Sequence, residues 1–185
     1  MILVAYMLPY NLDCFAWVEN KTDGDMNGRG DVLPAIHFPV GDAYSRGYWG
    51  VIFHGVKFPV GSLWDGGKNG FSGSANITVP FDCCGVWVLC TTPYKGVGWI
   101  EVSGKRSLVP SWFYPFSSDV KVAWVFPKYY SRGKEVNRKV YLYMVYFPIR
   151  AGRGKKLSLV TSEKTVIFSI SFQKCQNSEI QKFNK

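Results

Sequence analysis

Two basic segments hold the residues best suited to a chemical task. Phe126-Pro127 is followed by Arg132-Gly133-Lys134, and Phe147-Pro148 by Arg153-Gly154-Lys155, at the same internal spacing. Lys128, Arg132, Lys134, Arg138 and Lys139 form the first cluster; Arg150, Arg153, Lys155 and Lys156 form the second. Lysine and arginine on glycine-turned loops present charge-assisted donors to an anion. Tyr129 and Tyr130 add aromatic faces of the kind that accompany phosphate backbones, stacked bases or anionic headgroups. No RNA-recognition motif, zinc finger or helix-turn-helix is present, so sequence-specific reading is not expected. Each copy reads as a strand stopped by proline and then a basic loop. The repeat predicts that both loops come to one edge or end of a β structure.

Other chemistry is sparse. Cys83, Cys84 and Cys90, with Cys14, His37 or His54, match no zinc-ligand spacing. Cys84, Val86, Val88 and Cys90 alternate as one face of a buried strand does. Five cysteines, two of them adjacent, make a poor disulfide framework, and a reducing compartment is the expectation. The two histidines belong to no nucleophile elbow or His-Glu-x-x-His pair. Asp13, Glu19, Asp42 and Asp65 offer carboxylates without visible pairing. Gly152, Gly154, Lys155 and Lys156 miss the phosphate-loop spacing. The expectation is a non-enzyme with no cofactor, no metal and no evident small-molecule substrate.

An aromatic run, Trp112, Phe113, Tyr114 and Phe116, lies between Ser111 and Ser117. In a loop it would serve as an interface hot spot, a sugar platform or a membrane-surface anchor, or else fold back over an open end of the domain. Arg29-Gly30-Asp31 is a chance-level tripeptide. Asn20-Lys21-Thr22 and Asn76-Ile77-Thr78 are sequons that matter only in a secretory pathway.

The elements that must position these groups are strands. The chain has 185 residues, 47% hydrophobic, 19% charged and 17% aromatic, which suits one folded domain and excludes disorder. Nineteen glycines and ten prolines punctuate short, often alternating apolar runs. Strands are expected at 2–8, 15–18, 32–38, 48–53, 75–79, 86–90, 98–102, 120–125, 140–147 and 165–172. In the last, Val166, Phe168, Ile170 and Phe172 share one face, with Ser169 and Ser171 opposite. Phe38-Pro39-Val40-Gly41 recurs as Phe58-Pro59-Val60-Gly61, as similar strand stops do. Residues 61–73 and 103–119 read as long loops. The fold expected is all-β: a single-domain antiparallel β-sandwich, jelly-roll-like, over 1–175, with a polar tail at 176–185.

Charge is uneven. Residues 1–100 carry six Lys/Arg against eight Asp/Glu, and residues 101–185 carry sixteen against five, for an overall +9. That polarity suits an anionic partner. The apolar run 1–8 lacks a basic leader and is far shorter than the roughly 20 residues of a membrane span. It is read as a buried or partner-paired strand.

Val79-Pro80-Phe81-Asp82 is similar to a stretch of actinoporins, basic β-sandwich cytolysins. The resemblance covers four residues. The family's amphipathic N-terminal helix has no counterpart here, and Cys83-Cys84-Gly85 interrupts the aromatic run that would follow, so neither activity nor sites transfer.

Together these features lead to an expected structural or assembly protein. The form expected is a viral capsid or coat-associated subunit whose basic face meets genome or membrane. Its partners would be sister subunits, with non-specific nucleic acid or anionic membrane. It would reside in the virion, or otherwise in the cytoplasm. The rival expectation is a monomeric carbohydrate- or lipid-binding module, including a membrane-active one. Oligomeric mass separates the two.

Overall fold

Eight strands of this chain build a jelly roll, and two insertions add a third layer. The computed structural model describes residues 3–6, 8–40, 50–64, 66–115 and 120–176. Within them the strands are β1 (Leu3–Tyr6), β2 (Phe15–Ala16), β3 (Asp31–Pro34), β4 (Val51–Phe53), β5 (Val56–Phe58), β6 (Ser74–Thr78), β7 (Cys83–Thr91) and β8 (Gly98–Val102). There follow β9 (Lys105–Val109), β10 (Lys121–Phe126), β11 (Tyr129–Ser131), β12 (Lys134–Val136), β13 (Val140–Phe147), β14 (Lys156–Thr161) and β15 (Val166–Lys174). One 3-10 turn spans Ala35–His37.

The central sheet runs β1-β15-β7-β13-β10, and the facing sheet β6-β14-β8-β9. From β6 onward the chain passes between the two sheets so that β1-β15-β7-β13 opposes β6-β14-β8-β9. That is the strand order of a jelly roll. The antiparallel jelly-roll sandwich read from the sequence therefore holds. Between β1 and β6, the strands β2 to β5 form an outer layer over the far side of the central sheet. Strands β10 to β12 lie between β9 and β13, and β11–β12 extend the small sheet ordered β12-β11-β3-β2.

The central sheet is consequently buried on both faces. Along β13, Tyr143, Val145 and Phe147 enter the core between the two main sheets. Leu142 and Met144 enter a second core shared with the outer layer. That second core is rich in phenylalanine. Phe15 contacts Phe38 at 4.9 Å and Phe168 at 5.7 Å between ring centroids, and Phe38 stacks on Phe126 at 6.0 Å. Each such ring removed from water contributes roughly 1.5–3 kcal/mol. Phe38 and Phe58, the two Phe-Pro stops of the first half, both anchor here, though one follows the 3-10 turn and the other ends β5.

Two bulges correct the expected strand faces. In β15 the pairing steps from Ile167↔Cys90 to Ser169↔Leu89, so Phe168 is an extra residue. Val166 and Phe168 pack in the second core, whereas Ile167, Ile170 and Phe172 pack in the first. One inserted residue reverses the side on which all later side chains fall. Near the start of β7, Gly85 pairs with Gln173 and Cys83 with Lys174, which makes Cys84 the extra residue. Cys83 and Cys90 are wholly buried. Cys84 turns out of the core and bonds Cys175, across 91 residues. The cysteine set thus contains one disulfide, contrary to expectation.

Five strands fall outside the spans expected from the sequence: β5, β9, β11, β12 and β14. Three of the connections are two-residue hairpin turns, His54-Gly55, Ser103-Gly104 and Arg132-Gly133, with φ of 48° and 79°, 47° and 81°, 50° and 76°. Positive φ at both turn positions matches the twist of the flanking strands, and glycine takes the second at no steric cost. Residues 177–185, most of the expected tail, lie outside the described residues.

Candidate functional site

The antiparallel pairing of β10 with β13 decides where the two basic clusters go. Phe126 at the end of β10 pairs with Val140 at the start of β13. Phe147 ends β13 at the opposite pole, about 24 Å away along an eight-residue strand. The two Phe-Pro-basic copies therefore stand at opposite ends of the sandwich, not at one end. Neighbouring antiparallel strands necessarily finish at opposite ends.

The first cluster is internally compensated. Lys128 pairs with Glu135 at 2.9 Å, and Lys21 approaches the same carboxylate at 4.0 Å. The Lys128 hydrogen bond holds the Glu135 carboxyl below its usual range. The Arg138 guanidinium lies 3.7 Å from the Phe113 ring centroid. Arg132 Nε donates to the Arg29 carbonyl at 3.3 Å. Lys134 stands on β12 and not on a loop; it and Lys139 are exposed.

The second cluster draws in two further lysines. Cys83 bridges Ala151 and also pairs with Lys174. Val79 N–H donates to the Lys155 carbonyl, and Gly154 N–H to the Val79 carbonyl, both at 2.8 Å. Lys156 opens β14 opposite Thr78, and Lys105 Nζ donates to the Pro148 carbonyl at 2.5 Å. This ties Arg150, Arg153, Lys155 and Lys156 to Lys105 and Lys174 at one pole. Asp82 also stands there, and its Oδ1 accepts the Arg153 backbone N–H at 3.0 Å. The neighbouring Arg106–Glu101 pair is closed on itself at 3.0 Å.

The aromatic run does not form an exposed platform. Trp112 is 1% exposed. Its N–H donates to the Thr92 carbonyl and its carbonyl accepts from Tyr141, which turns the ring into the second core, 4.9 Å from Tyr129. Phe113 is partly buried beside it, and only Tyr114 is exposed. Phe116 lies outside the described residues, as do Asp42 and Asp65.

Exposed aromatic surface appears elsewhere, in the loop between β5 and β6. Trp64 is 71% exposed, with its ring stacked on Trp17 at 6.0 Å and 29°. Trp17 Nε1 donates to the Leu63 carbonyl at 2.7 Å. Asn69 anchors this loop: it is 1% exposed, accepts the Cys14 N–H at 2.8 Å and donates to the Ser62 and Gly67 carbonyls. A tryptophan within a glycine- and asparagine-rich loop was the available signal. An open cleft of about 470 Å³ is lined by Asn11, Asn27, Ser72, Tyr94, Thr161 and Glu163 over Met26 and Val166. No sequence motif marked that cleft, because its walls come from five separate segments.

Asp23-Gly24-Asp25-Met26-Asn27-Gly28 has the opening spacing of a calcium loop, with Pro34 where the closing glutamate would stand. Its groups are engaged as turn supports. Asp25 Oδ1 accepts the Asn27 and Arg29 N–H groups at 3.1 Å, Asp31 accepts the Asn27 amide at 2.8 Å, and Asp23 accepts the Gly66 N–H at 2.8 Å. Among the described residues no group of three His, Cys, Asp or Glu is placed to hold a metal. Burial, then the Asp23 charge, pushes the nearby Asp13 carboxyl up.

A family model for the AziU2-like beta-sandwich domain matches residues 4–176. The chain belongs to that family. The matched span of this AziU2-like domain takes in the jelly roll, both insertions and every site described above. No curated protein matches the chain. Among solved structures, the catalytic unit of a thermostable GH87 alpha-1,3-glucanase from Streptomyces thermodiastaticus strain HF3-3 is similar over 56% of this chain, at 16% identity and a TM-score of 0.32. The likeness spans 19% of that chain and carries no functional argument.

Proposed function

We propose that the protein is a non-enzymatic binding module that docks onto a polyanion through the pole built by Lys105, Arg150, Arg153, Lys155, Lys156 and Lys174. The carrying observation is the meeting of strand ends: the Cys83–Ala151 bridge, the Cys83–Lys174 and Lys156–Thr78 pairings and the Lys105–Pro148 hydrogen bond bring six cationic residues to one pole, whereas in the hairpin cluster Lys128 bonds Glu135, Arg138 covers Phe113 and Arg132 bonds the Arg29 carbonyl. The groups best suited to catalysis are occupied or shielded, which supports a non-catalytic role. His54 Nε2 is bonded to the Val122 carbonyl at 2.9 Å. Burial pushes the Cys14 and Cys90 thiols up, so little reactive thiolate forms. The Cys84–Cys175 bond supports residence in an oxidising setting. Among the described residues no helix is long and apolar enough to cross a membrane.

Salt dependence tests this reading. Counterion release gives a slope of log K against log salt of about −0.9 per phosphate contact on duplex DNA, so six contacts give about −5. Replacing Arg153, Lys155 and Lys156 with glutamine should bring that slope to about −3. The matching triple change at Arg132, Lys134 and Lys139 should leave it nearly unaltered. Equal losses from the two triples, or binding indifferent to salt, refute the pole assignment.

A second reading, self-assembly, including a coat-like subunit, is favoured by β9. This strand ends its sheet and exposes Leu108, beside exposed Val97. Apolar edges of this kind template pairing with another chain. Light scattering behind a sizing column checks it: a discrete oligomer supports assembly, and a monomer at low and high salt removes it.

A further inference from the structure

The sequon Asn76-Ile77-Thr78 lies on β6, which ends the sheet ordered β6-β14-β8-β9. Among the described residues β6 pairs with β14 alone. Alternation along the strand fixes its two faces. Ile77 is wholly buried in the first core, opposite Leu157, while Ser74, Asn76 and Thr78 are exposed on the outer face. Across the pair Asn76 meets exposed Ser158. Short polar side chains therefore border Asn76 along its strand and across it, and on its other side the sheet ends.

We infer that Asn76 carries an N-linked glycan. An asparagine followed by a residue other than proline and then by threonine is the acceptor pattern. The modification consumes one amide hydrogen, so it needs an asparagine that the fold does not use. Asn11, Asn27 and Asn69 donate their amides to carbonyls or a carboxylate within the protein. Among the described residues no group bonds the Asn76 side chain. In the transfer, Asn76 Nδ2 displaces the diphosphate from C1 of an oligosaccharide carried on a polyprenyl diphosphate. A C–N bond replaces the C–O bond, the lipid diphosphate leaves with its electron pair, and the amide gives up one proton. No oxidant or reductant takes part.

The Cys84–Cys175 bond is an independent observation that points the same way. Disulfides persist in secreted chains and in the compartments they pass through, and sequons are read on that route. The first sequon is the contrasting case. Asn20 is half-buried, and its Oδ1 accepts the Thr22 hydroxyl at 3.2 Å. Lys21 is held over the Tyr130 ring at 5.3 Å. The Thr22 methyl lies so close to Gly133 that a Cβ there would meet it at 2.7 Å. A sugar chain on Asn20 would have to share that packed turn, whereas one on Asn76 stands clear of the sheet.

The test is made on the protein isolated from its own cells, without reference to polyanion binding. Peptide-N-glycosidase in heavy-oxygen water turns a glycosylated asparagine into a labelled aspartate, which peptide mass mapping locates. The label is expected at Asn76, together with a gel mobility shift that the enzyme removes. In the same cells Asn76→Gln and Thr78→Ala should each lose the shift almost completely, and Thr78→Ser should keep it. The enzymatically deglycosylated protein and the Asn76→Gln variant should melt together, since the amide supports no native contact. The inference is overturned if Asn76 stays unlabelled or if the label falls on Asn20 alone. Label arising without the enzyme would be spontaneous deamidation and would overturn it too, as would a shift that survives in Thr78→Ala.

Discussion

Replacing Cys84 and Cys175 by serine should lower the melting temperature sharply while leaving the fold intact. The bond closes a loop of 91 residues. In the chain-entropy treatment a loop of that length restricts the unfolded chain by about 4.6 kcal/mol at 25 °C. For a domain of this size each kcal/mol moves the midpoint by 2–4 °C, so the double variant should melt roughly 9–18 °C lower. The native contacts nearby do not depend on the bond. Cys175 N–H donates to the Asp82 carbonyl at 3.0 Å, and β7 and β15 remain paired over their length. Circular dichroism melts of the wild type with and without reductant, beside the double variant, measure the effect; reduced wild type and variant should coincide. A gel comparison identifies the partner. Cys83→Ser should keep its faster non-reduced mobility, because Cys83 is buried and its thiol donates to the Gly85 carbonyl, whereas Cys84→Ser should lose it. A double variant melting within about 3 °C of wild type would refute the loop argument. A cross-link surviving in Cys84→Ser would refute the bulge that turns Cys84 outward.

Asn69→Ala should cost about 2–3 kcal/mol, because it strands the buried Cys14 N–H and frees the two carbonyls that shape the Trp64 loop; a chemical denaturation midpoint indistinguishable from wild type would contradict this. Asp13→Asn should stabilise the protein at pH 7. The native Asp13 carboxyl is pushed up by burial and by Asp23, so its protonated form favours the fold. That contribution is complete below the unfolded carboxyl range and is lost as pH rises through the native value. The advantage of the asparagine should therefore shrink on acidification, and urea midpoints at pH 7, 5 and 3.5 that show a constant difference, or a less stable variant at pH 7, would count against it.

The all-β class was legible because its signals are local. Alternating apolar residues and turn-forming glycines marked β8 and β13 at their observed limits, Gly98–Val102 and Val140–Phe147. Strand β14 carried the same signal, with Leu157, Leu159 and Thr161 inward and Lys156 and Ser158 outward, but the adjoining basic run masked it. The basic residues could be picked by type, since lysine and arginine seldom stay fully buried. What they meet could not be, for Phe113 reaches Arg138 only through folding.

The sequence by itself therefore determined the strand-rich architecture and the inventory of cationic side chains. Tertiary structure decided their arrangement, through pairings between residues far apart in the chain. Antiparallel partnership of β10 and β13 sent the two similar loops to opposite poles. An unpaired residue at Phe168 and another at Cys84 reset which side chains point inward, which moved one phenylalanine into the second core and one cysteine into a disulfide. Trp112 was buried with its backbone N–H donated to Thr92 and its carbonyl accepting from Tyr141, while Trp64 was left outside on the loop that Asn69 fixes. Alternation reports the period of a strand, but register and bulges depend on the partner strand, and no local pattern encodes that partner.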